Sequence, residues 1–140
     1  MPQDSPAATD LLDVVALFLE HEVIPSTEGG VRFRARVAAN TLRIVAREIQ
    51  RGERHLRDEV NILTELLGQA QCPAATLEDL SNQALALNRE LCERIRAGNA
   101  DADPVRTRVV HAMRKLVESK LAIANPAYLE TDRNLRTGNR

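Results

Sequence analysis

Aromatic side chains are nearly missing from this chain. Phe18, Phe33 and Tyr128 are all it has, 2% of its residues, and it holds no tryptophan. Its core must therefore come from Leu, Val, Ile and Ala, a set that suits close-packed helices, and a base-stacking nucleic-acid surface has no platform to stand on. Net charge is missing too. With a formal value of −1, no global field draws the chain to nucleic acid or to an acidic membrane. Only Lys115 and Lys120 among the 19 basic residues are lysines. The two cysteines, Cys72 and Cys92, make no disulfide framework, and neither has a partner at zinc-finger spacing, so free thiols are expected. No run approaches the roughly 18 consecutive apolar residues of a membrane span, and the first ten residues lack the basic-then-apolar pattern of a signal peptide. A reducing cytoplasm is the expected setting.

What is present is helical punctuation. Over 140 residues the sequence reads as one all-α domain, a compact bundle of about five helices over 1–129, followed by a polar, flexible tail over 130–140. Ser5-Pro6 resembles a cap and first-turn proline for a helix carrying Leu11, Leu12, Val14, Val15, Phe18 and Leu19, which Pro25 stops. Gly52 predicts a break or kink, Gly68 ends a third helix bearing Leu56, Val60, Leu63 and Leu67, and Thr76 with Asp79 opens a fourth through a capping box. The fourth carries Leu77, Leu80, Ala84, Leu87, Leu91 and Ile95, and Gly98 closes it. Asp103-Pro104 opens a fifth, carrying Val105, Val109, Ala112, Met113, Leu116, Val117 and Ile123, and Pro126 closes that one. Alternating strand patterns are absent.

The central helix, at roughly 31–50, organises the rest. Val31, Ala35, Ala38, Leu42, Val45 and Ile49 alternate spacings of four and three, which places them on one face. Phe33, Val37 and Ile44 form a second apolar strip, so the helix is expected to be packed on two sides. Between the strips lie Arg36, Asn40, Arg43 and Arg47, with Arg32 extending the edge. Guanidinium forks in such a column suit a phosphate or carboxylate, and hence an anionic metabolite. The plainer alternative is a face bridged to Glu or Asp of a neighbouring helix.

Three segments resemble a family of small bacterial proteins classed as a domain of unknown function: LLDVVALFLEHEVIP (Leu11–Pro25), RFRARVAANTLRIVAREI (Arg32–Ile49) and KLAIANPAYL (Lys120–Leu129). LCERIRAG (Leu91–Gly98) fits as well. The resemblance implies genes that neighbour acyl-CoA dehydrogenases and phosphotransferases of the aminoglycoside-kinase type. It thus implies an accessory role in acyl-CoA or related catabolism, with such an enzyme as partner. It supplies no catalytic residues to carry over.

In KLAIANPAYL, Asn125 before Pro126 is expected to cap a turn while Tyr128 and Leu129 fold back onto the bundle. The sharper expectation is that Lys120 and Tyr128 line a ligand or partner surface near the central arginines. His21, His55 and His111 show no zinc-protease spacing and read as cap or surface residues. With no glycine-rich phosphate loop and no nucleophile elbow, neither catalysis nor a metal or cofactor is expected. An accessory protein leads, an anionic-metabolite binding module follows, and a homodimer would hide the surplus apolar surface.

Overall fold

The computed structural model describes residues 5–138, and among these every regular element is helical. Helix α1 spans Ala8–Phe18 and runs on through a wide π turn, Leu19–Val23, into one further α turn, Ile24–Ser26. Helix α2 spans Gly29–Leu67, α3 Leu77–Arg96, α4 Val105–Ala124 and α5 Pro126–Thr137. The fold is all-α, as the periodicity predicts. Where the sequence suggests one domain, the chain falls into two compact units, Met1–Gly52 and Glu53–Arg140, and α2 supplies residues to each.

Several boundaries differ from expectation, each for a physical reason. Pro25 does not stop the first helix. Its ring would collide with the carbonyl of the residue four before it, and the π turn just upstream widens the coil there, with the Ile24 N–H donating to the Leu19 carbonyl, five residues back. Ser5 does not cap α1: Ala7 takes the cap position, and its N–H donates to Asp10 Oδ2 at 3.0 Å. Gly52 makes no break, because one interior glycine costs only about 1 kcal/mol, less than the rest of a 39-residue helix supplies. Pro126 ends α4 but also starts α5, whose first turn Asn125 caps by accepting from the Tyr128 N–H at 3.3 Å. The polar stretch from 130 thus continues as helix to Thr137.

The second unit has a conventional core. Val60, Leu63 and Leu67 of α2 meet Leu80, Ala84, Leu87 and Leu91 of α3 and Val109 and Leu116 of α4. Leu63 is the one large side chain wholly sealed from solvent among the described residues. The predicted stripes of these helices are the observed ones, except that Leu77 and Ile95, at the ends of α3, and Val117 of α4 are exposed. Thr76 and Asp79 form the predicted reciprocal capping box at 3.1 Å each way. Gly68 and Gly98 adopt left-handed φ values of 67° and 85°, with 6→1 hydrogen bonds from Gln69 to Thr64 and from Asn99 to Arg94 closing α2 and α3.

The first unit is built differently. Its buried apolar side chains, among the described residues, are Ala16, Ala35, Ala39 and Ala46. The inward face of α2 is therefore turned from the one predicted: Ala35 stays, Ala39 and Ala46 join it, while Val31, Ala38, Val45 and Ile49 are exposed and Leu42 is half-buried. Phe33 and Val37 of the second strip are exposed as well. Small side chains on the buried face let two helix backbones approach closely.

Candidate functional site

The predicted arginine column sits in the first unit, at the edge of this alanine contact. Arg43 lies between Ala39 and Ala46 in helical register, and it reaches two carboxylates of the α1 segment that flank Ala16. Its Nη1 donates to Asp13 Oδ1 at 2.8 Å, while Nη2 and Nε donate to Glu20 Oε2 and Oε1 at 2.9 and 3.4 Å. One planar fork thus spans about two turns of the opposite helix. The hydrogen bond from Arg43 holds the Glu20 carboxyl below its ordinary range, and Glu20 in turn raises the Arg43 pKa.

Arg32 is also engaged. Its Nε donates to the carbonyls of Ile24 at 3.1 Å and Thr27 at 2.6 Å, satisfying backbone acceptors where the first helical segment ends. Thr27 itself donates its hydroxyl to the Val23 carbonyl at 2.7 Å. Arg36 and Asn40 are exposed, and Arg47 is half-buried. The column thus divides: Arg43 and Arg32 fix the hairpin, and Arg36 and Asn40 face solvent.

Lys120 and Tyr128 belong to the second unit. Lys120 Nζ lies 3.3 Å from Glu59 Oε1. Tyr128, 58% exposed, lines a shallow groove of about 300 Å³ between α4 and α5, together with Val117, Glu118, Leu121, Asp132 and Arg136. Leu129, its neighbour, is the residue that folds inward.

Glu59 is the residue the sequence reading overlooks. It is only 9% exposed and accepts from Asn88 Nδ2 at 2.8 Å as well as from Lys120, while Asn88 also donates to the Ala84 carbonyl. A buried carboxylate needs such donors, since an unpaired one would take up a proton or destabilise the fold. One signal was available: Glu59 stands three residues after Leu56 and four before Leu63, inside the apolar register. One turn earlier on α2, His55 Nδ1 meets Ser119 Oγ of α4 in a short hydrogen bond. Glu59 and Ser119, with Asp58, Lys115 and Leu116, border an open depression of about 280 Å³, near the lower limit of ligand pockets. Cys72 and Cys92 are exposed free thiols. Among the described residues no three His, Cys, Asp or Glu side chains are placed to hold a metal ion, and no helix is long and apolar enough to cross a membrane.

The other notable surface is apolar. Leu11, Val14, Val15 and Phe18 fall at i, i+3, i+4 and i+7 on α1, the spacing of a single helix face, and are 49%, 64%, 48% and 51% exposed. Ala16, on the opposite side of the helix, is the residue turned inward. The sequence marks these four as apolar, but not which side of α1 its own chain leaves uncovered.

Residues 25–128 match the family described as Domain of unknown function (DUF6285), and the chain belongs to that family. No curated protein and no solved structure matches it.

Proposed function

We propose that this member of the DUF6285 family is a non-catalytic accessory protein of the bacterial cytoplasm that acts by docking to an enzyme. The observation that carries the reading is the uncovered face of α1, where Leu11, Val14, Val15 and Phe18 stand about half exposed in one stripe. A helix with an apolar stripe is normally packed along it, and clustered apolar surface of this kind marks contact sites. Covering the stripe would gain about 1 kcal/mol per side chain, half the value for complete burial. The class of partner follows from the family resemblance: an acyl-CoA dehydrogenase or a phosphotransferase of the aminoglycoside-kinase type. The competing reading, an anionic metabolite held by Arg36, Asn40, Arg43 and Arg47, draws less support, because the Arg43 guanidinium already faces two carboxylates.

The test is direct titration of the purified chain into a purified enzyme of each class, followed by sedimentation velocity. A faster-sedimenting complex with one of them, weakened at least tenfold by Phe18→Glu, is the expected result. If neither enzyme forms a complex, or if Phe18→Glu binds as well as the native chain, the proposal fails.

A further inference from the structure

The α2 face that the sequence marks as a buried stripe is left largely uncovered, and its pattern matches itself. Val31, Ala35, Ala38, Leu42, Val45 and Ile49 form an unbroken a/d heptad series, the spacing of a coiled-coil seam. Val31, Val45 and Ile49 are 49%, 40% and 56% exposed, Ala38 is exposed and Leu42 is half-buried, while Ala35, at 7%, is the one member that the hairpin already covers. Along one flank run Ala39 and Ala46, buried within the hairpin. Along the other run Arg34, Thr41 and Glu48, all exposed.

We infer that this seam pairs with the same seam of a second copy, the two helices antiparallel and crossing near Asn40. In that register Val31 stands opposite Ile49 of the second copy, Ala35 opposite Val45, and Ala38 opposite Leu42. Each layer then sets the smaller side chain against the larger, the arrangement that fills a seam without voids. A parallel pair would instead stack Ala35 on Ala35 and Ala38 on Ala38, leaving two hollow layers.

The charges choose the same register. An antiparallel pair brings the Arg34–Glu48 flank of one copy against that of the other. The Arg34 guanidinium leans over Gly30, with Nη1 3.4 Å from where a Cβ would stand there, and the Glu48 carboxylate leans over Gly52. Gly30 of one copy and Gly52 of the other differ from the common level by two residues, about 3 Å at the helical rise. The two-fold axis therefore makes two Arg34–Glu48 pairs, with Thr41 meeting its own copy between them, as an isologous interface requires. In a parallel pair the same flank would meet the alanine side, and neither charge would find a partner. The inference is independent of any enzyme docked on α1.

Sedimentation equilibrium of the full chain, from about 5 to 200 µM, tests it. Micromolar self-association is expected, because a seam of this length lies toward the small end of stable interfaces. Val45→Glu should leave a monomer of unchanged helix content. Glu48→Arg, an exposed substitution that the fold tolerates, should weaken association at least tenfold by setting Arg against Arg34. Adding Arg34→Glu to it should restore the native affinity. A chain monomeric at 200 µM overturns the inference. So does a dimer indifferent to Glu48→Arg, which would place the contact elsewhere or in parallel register.

Discussion

Replacing Arg43 with alanine asks whether that residue belongs to the fold or to a ligand. The side chain is 31% exposed, and its carboxylate partners Asp13 and Glu20 are 43% and 36% exposed, so solvent screens both pairs. Exposed ion pairs contribute about 0.2–1 kcal/mol each. Here one guanidinium serves two carboxylates, so a single loss of side-chain freedom is shared, and Arg43→Ala should cost about 0.5–2 kcal/mol. For a chain of this length that corresponds to a fall in Tm of about 2–8 °C, at roughly 3–4 °C per kcal/mol. The pH dependence carries a sign. Glu20 titrates below its ordinary range in the folded chain because Arg43 donates to it. Between the depressed and ordinary values the unfolded chain binds more protons, so stability rises with pH across that window. The contribution is complete above the ordinary carboxylate pKa and is lost as pH falls through the depressed one. The gap between native and variant should therefore be full at pH 7 and narrow in acid. Urea denaturation followed by circular dichroism at several pH values measures it, and Glu20→Gln placed on Arg43→Ala should add less than it does alone. A variant that melts with the native chain, yet loses a stabilisation conferred by CoA or phosphate, would refute the structural assignment and make Arg43 a ligand residue.

Three further outcomes follow from the second unit and from the middle of α2. Leu63→Ala empties a fully sealed position and should cost about 2–5 kcal/mol in chemical denaturation. Asn88→Ala removes the shorter of the two donors on buried Glu59 and should cost about 1–3 kcal/mol, whereas adding Glu59→Leu should recover much of that loss, since an apolar side chain needs no donor. Gly52→Ala should raise stability by about 0.5–1 kcal/mol, because the new Cβ meets only the movable end of Glu48 and the helix keeps its course. A loss of helix signal in that variant would mean that Gly52 is needed for its backbone freedom.

The helices of the second unit were legible because each has one apolar side and one neighbourly task. Leu80, Ala84, Leu87 and Leu91 repeat on a single face, and that face is the core. Thr76 with Asp79, Gly68 and Gly98 act through bonds to residues at most five away, so their roles could be read without a tertiary fold. The first unit was harder for a different reason. Its central helix carries apolar side chains on more than one side, and periodicity ranks faces by size, favouring Val31, Leu42 and Ile49 over Ala39 and Ala46. The observed burial favours the small side chains instead, and which face is covered depends on parts of the chain distant in sequence. Arg43 looked like a member of a ligand column because its partners Asp13 and Glu20 are 30 and 23 residues away. By residue type Glu59 gives no such signal, because an acidic residue on a helix usually faces water. Pro25 reads as a stop because a proline normally ends a helix, and nothing local announces the π turn that makes room for it.

The alanine contact has a consequence for how such a hairpin tolerates change. A leucine core can trade volume among its members, one side chain growing as another shrinks. Ala16, Ala35, Ala39 and Ala46 have no such slack, since a smaller residue means glycine, which weakens the helix, and a larger one pushes the backbones apart and stretches the reach of Arg43. Chains that share this unit should thus be recognisable by a rhythm of small residues, four and then seven apart on the long helix, rather than by their large apolar ones. The bulky positions outside that rhythm are free to vary with whatever covers them.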